Sequence, residues 1–311
     1  MVGTVDHFIY FLDYTIICTE NYAMNQQELH EKVLYPVTRV KAGKAGGSGV
    51  LVYSKEDPSD AGKFVNIVLT CQHVIDGAIS VKDEWDSLLK REIKKDIMEE
   101  VSVEVFDYDG SKISSANSTQ AEIIAYDKNH DLAALKLTNT KPQDWVASIY
   151  PKNEIANMQL FDEVWTSGCS LLHDPFSNKG ELTYLREIIE QKSYIMYNAP
   201  SIFGNSGGGV FHVNGGLLGL CSRITNIQLG FGIDVMTWMG FGTHPSRLYE
   251  FFSHQELQFL YDENDTYAEA VQRRKDKQRK SLRHLFIEEK EADKVEVSAS
   301  AEEYQVTHMD L

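Results

Sequence analysis

The sequence contains little cysteine, and what it has is scattered. Its four cysteines are Cys18, Cys71, Cys169 and Cys221, with no CxxC pair and no other short spacing typical of zinc sites. A small extracellular domain built on disulfides is much richer in cysteine. We therefore expect reduced thiols that pack as small apolar side chains, and we expect neither a metal nor a cofactor.

Long apolar runs are also missing. The stretch Phe8–Cys18 is apolar, but it includes Asp13, follows no basic segment and is too short to span a membrane. No other segment is long enough to span one. The sequence therefore predicts no signal peptide and no membrane span, and we expect a cytoplasmic protein.

Positive charge is scarce as well: 30 Lys and Arg face 46 Asp and Glu, giving a net charge of −16. This excess argues against a general nucleic-acid binder. The segment Arg273–His284 departs from it, with seven Lys or Arg and one Asp. A solvated helix whose cations pair with nearby glutamates is the simpler interpretation. Docking of an acidic partner, a nucleic acid or a second subunit in a homo-oligomer is the alternative.

Short β-branched or alternating runs, separated by turn residues, fill most of the chain from Tyr35 onwards. Their even spacing predicts an all-β domain of paired sheets or barrels, because alternating strands and helices would space the runs differently. The runs are Gly49–Tyr53, Phe64–Thr70, Val101–Phe106, Ala121–Ala125, Leu132–Leu137, Glu163–Thr166, Tyr194–Tyr197, Gly209–Val213, Gly216–Ser222 and Gly232–Val235.

Two regions depart from the strand pattern. In Lys82–Glu100, apolar residues recur near helical spacing among charges, which predicts an amphipathic helix inserted on the barrel surface. After His244 the pattern predicts helices, the first starting at Pro245 and a second capped by Thr266 and Glu269. We therefore divide the chain into an N-terminal extension (1–32), a strand-rich domain (33–244), C-terminal helices (245–291) and a polar tail that we expect to be disordered (292–311).

Three short segments carry residues suited to nucleophilic catalysis. Ser206 lies in the glycine-rich turn GNSGG, His73 follows an apolar strand in TCQHV, and Asp131 precedes a buried strand in HDLAALKL. A serine hydroxyl needs a base to accept its proton, and the base needs a carboxylate to orient it. The glycines allow a tight turn in which the N–H groups of Gly204 and Ser206 would meet a developing oxyanion.

Together these segments resemble the trypsin-like serine peptidases, most closely the HtrA/Deg type and related bacterial and viral enzymes. The resemblance rests on GGSGVLV, TCQHV, AYDKNHDLAALKL and GNSGGGVF in this order, over roughly residues 35–240. It implies two perpendicular six-stranded β-barrels with the active site between them. It also implies an endopeptidase that cleaves protein or peptide substrates through an acyl-enzyme. His73, Asp131 and Ser206 fall on the triad of this family, and Gly204 with the Ser206 amide on its oxyanion hole.

The resemblance has limits. Asn205 replaces the aspartate of digestive trypsins, and no IVGG start is present, so activation by cleavage is not implied. The C-terminal region does not resemble a PDZ domain. By resemblance the substrate pocket is lined by Pro200, Ser222, Arg223, Ile224 and Gly230. Because none of these is acidic, we expect a small or medium apolar residue before the cleaved bond, while Arg223 leaves an acidic preference open.

Two other interpretations remain open. The same GNSGG turn fits the G-x-S-x-G elbow of α/β-hydrolases, but that elbow requires a helix directly after the serine and a later histidine. The residues after Ser206 instead predict strand, turn and strand, and the later histidines are His212, His244 and His254. The second alternative is a catalytically silent module that binds partners. All three triad positions keep the residue types of the family, which argues against this alternative.

Overall fold

A computed structural model describes residues 24–86 and 90–280, and fourteen strands dominate it. In chain order they are β1 (Val37–Ala42), β2 (Ala45–Glu56), β3 (Phe64–Thr70), β4 (Ile79–Asp86), β5 (Arg91–Met98), β6 (Val101–Asp109), β7 (Lys112–Asp127), β8 (Leu132–Leu137), β9 (Glu163–Gly168), β10 (Phe176–Ile189), β11 (Lys192–Tyr197), β12 (Gly209–His212), β13 (Leu217–Leu229) and β14 (Gly232–Thr243).

Twelve of these strands close into two six-stranded barrels, which confirms the predicted double-barrel fold. The first has the order β1-β2-β3-β8-β7-β6, and the second has the order β10-β11-β14-β13-β12-β9. Apolar side chains of the short runs fill the barrel interiors, among them Ile67 and Leu135 in the first and Ile195 and Leu218 in the second. Burying each such side chain stabilises the fold by about 1.5–3 kcal/mol.

The predicted surface helix at Lys82–Glu100 is wrong. The described part of this segment lies in β4 and β5, which form a separate two-stranded antiparallel sheet. Ile93 and Ile97, which supported the helical interpretation, are four residues apart. Such residues share a face in a helix and also in a strand, where side chains alternate. The spacing therefore could not separate the two structures.

The longer helices follow the second barrel. Helices α1 (Gln26–Leu29) and α2 (Gln72–Ile75) are single turns, whereas α3 (Pro245–His254) begins at the predicted proline. Its Leu248, Phe251 and Phe252 are buried in a hydrophobic cluster that contains residues of both barrels. A further helix covers 267–280 and starts after the expected capping box, in which Thr266 Oγ1 accepts from the Glu269 N–H at 3.3 Å. The predictions for Phe8–Cys18 and for 292–311 lie outside the described residues.

Most cations of the basic segment that the structure describes have internal partners. Arg273 pairs with Asp265, and Lys277 donates to the carbonyl of His254 at 2.8 Å. Arg274 donates to the carbonyl of Ile124 at 2.9 Å. These contacts hold the helix against other elements of the fold, whereas the simpler interpretation expected pairs with nearby glutamates.

The three cysteines that the structure describes are reduced thiols packed in the interior, as the sequence predicts. Cys71, Cys169 and Cys221 are buried and free.

Within the described residues, none of the helices combines the length and the apolar character that crossing a bilayer requires.

Candidate active site

The pairing of β3 with β8 brings His73 and Asp131 together. The two strands are antiparallel, and Thr70 at the end of β3 lies opposite Ala133 near the start of β8. The residues just after β3 and just before β8 therefore meet at one edge of the first barrel. His73 follows in α2, and Asp131 precedes β8 in a left-handed backbone conformation with φ of 54°.

Asp131 is held by three donors. The His73 ring Nδ1 lies 2.9 and 3.0 Å from its two carboxylate oxygens, and the His73 backbone N–H donates to Oδ1 at 3.1 Å. The Ser222 hydroxyl donates to Oδ2 at 2.8 Å. Burial raises the pKa of Asp131, but the bonds from His73 and Ser222 outweigh burial, so the pKa lies below its ordinary value. The carboxylate is therefore charged at neutral pH and fixes the His73 ring with Nδ1 as a donor.

The turn that carries Ser206 depends on two glycines. Gly204 has φ of +94° and Gly207 has φ of +85°, a region that favours glycine. A Cβ on Gly207 would lie 2.1 Å from the carbonyl oxygen of Ser48. Ser48 also bonds to the turn directly: its N–H donates to the Ser206 carbonyl at 2.8 Å and its hydroxyl to the Gly204 carbonyl at 2.7 Å.

Two N–H groups of this turn are free to bind a ligand. Among the described residues, the N–H groups of Gly204 and Ser206 have no acceptor. The carbonyl of Phe203 accepts from the Leu171 N–H at 2.8 Å. Because a trans peptide is planar, with its C=O and N–H on opposite sides, this bond fixes the Gly204 N–H on the side away from Leu171.

A single cleft of about 310 Å³ is lined by residues from both parts of the candidate site. His73 and Ser206 line it together with three of the predicted pocket residues, Ser222, Arg223 and Ile224. The other lining residues are Tyr197, Ser201, Ile202, Phe203, Asn205 and Cys221.

The structure does not bring Pro200 and Gly230 to this cleft. Gly230 lies in the turn between β13 and β14, because those strands continue well beyond the segments that the sequence marks. Pro200 is exposed, and its carbonyl accepts from Asn178.

The serine and the histidine share the cleft without a direct bond. Within the described residues, the Ser206 hydroxyl makes no hydrogen bond to His73. Catalytic hydrogen bonds are often long when no substrate is bound and shorten in the complex. The arrangement can therefore supply a nucleophile, a base and two oxyanion donors once a carbonyl group enters the cleft.

Cys71 is the other potential nucleophile near His73. Its thiol is fully buried and lies 3.3 Å from the carbonyl oxygen of Cys221. Burial raises its pKa well above the ordinary value, with a further contribution from Asp131. Since the thiolate is the reactive form, Cys71 is not suited to attack a substrate.

Three contributors to the site were not predicted from the sequence. Ser222 was expected only on a pocket wall, but its hydroxyl bonds to Asp131. Ser48 bonds to the turn that carries Ser206, and the only sequence feature that could have drawn attention to it is the set of glycines around it in GGSGVLV. Leu171 has a left-handed φ of 52°, and a leucine gives no sign of that in the sequence.

Comparisons with known proteins bear on the family and the fold of this chain. Residues 47–220 match the family model described as the trypsin-like peptidase domain. No curated protein matches the chain. Among solved structures, the HtrA-type protease AlgW, solved with a tripeptide, has a TM-score of 0.52 and 16% identity. That match covers 76% of this chain and 64% of AlgW, so the chain spans less than two thirds of that protein. At this identity the likeness shows the fold alone. Deg5 has a TM-score of 0.49 and 17% identity, covering 72% of this chain and 90% of Deg5.

Proposed function

Since this chain belongs to the trypsin-like peptidases, with more than half of its length in the family match, we propose that it is a serine endopeptidase with a Ser206–His73–Asp131 triad. In this mechanism Ser206 Oγ attacks the peptide carbonyl, and the Ser206 proton passes to His73 Nε2. The charged Asp131 carboxylate stabilises the imidazolium that forms.

The remaining steps use the same groups. The carbonyl oxygen becomes an oxyanion, which accepts hydrogen bonds from the N–H groups of Gly204 and Ser206. When the tetrahedral intermediate collapses, His73 returns the proton to the leaving amine and an ester to Ser206 remains. Water, activated by His73, then hydrolyses this acyl-enzyme and releases the acid product.

One observation carries the proposal. A histidine whose Nδ1 is fixed by a charged carboxylate shares a cleft with a serine, and the turn holding that serine leaves two N–H groups without acceptors. Gly204 and Ser206 are only half-buried, so these two unpaired donors beside a serine are accessible to an oxygen of a bound substrate.

A catalytically silent binding module is the second candidate. The missing bond between Ser206 and His73 favours it, because a serine without its base is a weak nucleophile. The two candidates make opposite predictions about the reactivity of Ser206.

Labelling by a fluorophosphonate probe tests the proposal. We expect the wild-type protein to form a stable adduct, and we expect Ser206→Ala and His73→Ala to form none. Ser201→Ala is the matched control, because Ser201 lies in the same cleft and should leave labelling intact. Folded wild-type protein that stays unlabelled, or Ser206→Ala protein that still reacts, would support the silent module.

We also propose that the site prefers a small or medium apolar residue before the cleaved bond. Arg223 is the cation on the cleft wall, and it donates to Glu190 at 2.9 Å, which lowers its availability to an acidic substrate. A peptide library should therefore show cleavage after apolar residues. Dominant cleavage after Asp or Glu would assign Arg223 the substrate-binding role, and cleavage after Lys or Arg would contradict both assignments.

The wider partner hypotheses gain little support. The paired cations of the 267–280 helix leave fewer charges for an acidic partner, and protein or peptide substrates are the partners that the proposed chemistry requires.

A further inference from the structure

A group of metal-ligating side chains lies outside the cleft. Asp127 ends β7, His130 lies in the turn before β8, and His254 ends α3. One ligand atom from each lies within 4.8 Å of the other two. The sequence predicts no metal site because His130 and His254 are far apart in the chain, and the fold alone brings them together.

Two of the three side chains are already fixed in place. Asp127 Oδ1 accepts from the N–H groups of Asn129 and His130, at 2.7 and 3.1 Å. Its other oxygen, Oδ2, faces the ring Nδ1 of His130 at 2.9 Å. The rings of His130 and His254 are 5.5 Å apart between centroids and inclined at 69°.

We propose that Asp127, His130 and His254 bind a zinc ion. Two imidazoles and a carboxylate are ligands that Zn²⁺ uses in proteins, and water commonly fills the fourth position. On binding, the ion takes the place of the proton between His130 Nδ1 and Asp127 Oδ2. The neutral ring binds the ion through Nδ1 in the tautomer that carries its single N–H proton on Nε2, and Nε2 faces the carboxylate of Glu250 at 3.4 Å.

Glu250 is placed to orient the His130 ring in this arrangement. A histidine that binds a metal usually donates its other ring N–H to a carboxylate or carbonyl, which orients the ring. Glu250 is on α3, the same helix as His254, so both sides of the His130 ring would be held.

The surrounding charges are compatible with a divalent cation. Asp127 and Glu250 supply two negative charges beside His130. The buried Arg247 donates to the backbone carbonyls of His130 and Ser193, so its guanidinium is engaged with backbone oxygens. Arg186 and Lys192 line a cavity with His130 and Glu250, and Lys192 donates to the carbonyl of Lys128.

The ion would join the C-terminal end of α3 to the turn that carries Asp131. His130 directly precedes Asp131, and His254 is the last residue of α3. Zinc is therefore expected to stabilise the folded protein, because it binds the native arrangement and not the unfolded chain. This inference does not depend on the proposed peptidase activity.

Calorimetric titration of the full chain with Zn²⁺, after removal of metals with EDTA, tests the proposal. We expect a site whose dissociation constant rises by at least about tenfold in His254→Ala. The thermal midpoint should rise with Zn²⁺ in the wild type but not in His254→Ala. Because His254 is exposed, this substitution is not expected to prevent folding. Asp127→Asn provides a second variant with the same expected loss.

Two controls separate this site from others. His173 is exposed and should be replaceable by alanine without effect on zinc binding. Cys71, His73 and Asp131 also place ligand atoms within 4.8 Å of one another, so zinc could bind there instead. Binding that persists in His73→Ala and weakens in His254→Ala supports the proposal. Binding that is lost in His73→Ala and unchanged in His254→Ala, or no binding by the wild type, overturns it.

Discussion

At the scale of single residues, Gly204 determines where the turn before Ser206 points its N–H groups. Its φ of +94° is the region that glycine adopts at the third position of a type II turn. A Cβ at this position would lie 2.5 Å from the backbone nitrogen of Leu171, which holds the Phe203 carbonyl. The same residue thus sets the turn and the contact that orients it.

Gly204→Ala should therefore impair the reaction of Ser206 with a fluorophosphonate. The added methyl group requires the turn to move, and the loss of one oxyanion donor costs about 10²- to 10³-fold in rate. Gly230→Ala is the matched control, because Gly230 also has a positive φ, of 61°, but open space around its Cβ position. Equal labelling rates for Gly204→Ala and the wild type would show that the turn accepts a side chain at this position without moving its N–H groups, contrary to the contact with Leu171.

At the scale of elements, the start of α3 depends on a buried histidine. His244 is the N-cap, and its Nδ1 accepts from the Ser246 N–H at 3.1 Å. The pKa of His244 is lowered to about 4, chiefly by burial, with Arg186 and Arg247 adding to the shift and Glu250 opposing it. A neutral ring is required, because protonated Nδ1 could no longer accept from the helix.

We expect His244 to make the fold sensitive to mild acid. Between pH 6.5 and about 4 the unfolded chain binds a proton at His244 and the folded chain does not, so stability falls as the pH falls. The loss should be about 2 kcal/mol. Urea unfolding of the wild type and of His244→Asn across this range measures it, since asparagine caps a helix but does not titrate. Parallel pH profiles for the two proteins would contradict this assignment.

The elements also show which features a sequence can predict. β3 and β8 have the bounds predicted for them, because each is a continuous apolar run and strands buried in a core read in this way. The β4–β5 hairpin was misread, since its Ile93 and Ile97 fit both periodicities and its burial is slight. The residues proposed for the triad could be picked out from the sequence because their flanking motifs are local.

The hydrogen bonds that support the site could not be predicted from the sequence, for a different reason. Ser222 reaches Asp131, and Ser48 reaches Gly204, only after distant strands are packed together. Such long-range hydrogen bonds depend on three-dimensional placement, and serine is too common for its presence to mark them.

At the scale of the whole molecule, Ser48 connects the two barrels. It belongs to β2 of the first barrel, yet its hydroxyl donates to the Gly204 carbonyl and accepts from the N–H of Cys169 at 2.7 Å, both next to strands of the second. The N–H of Ser48 adds the bond to the Ser206 carbonyl. The turn that carries Ser206 is thus held by the opposite barrel.

Ser48→Ala should reduce both stability and reactivity. It leaves the buried Cys169 N–H and the Gly204 carbonyl without their partner, which costs about 1–3 kcal/mol. Urea unfolding and the fluorophosphonate labelling rate measure the two effects, and Ser48→Thr, which retains the hydroxyl, is the control. A labelling rate unchanged by Ser48→Ala would show that the bond between the barrels does not position the turn.

The β4–β5 hairpin has a consequence for self-association. Each strand of this small sheet has one neighbour, so one edge of each exposes backbone groups that a second chain could pair with. Trp85 and Val81 are 63% and 59% exposed on it, and apolar edges of this kind promote aggregation. Charged residues interrupt both strands, among them Lys82, Asp83, Glu84, Arg91, Glu92, Lys94, Lys95 and Asp96. Charges spaced in this way act as gatekeepers, because edge-to-edge pairing with another molecule would bury or oppose them.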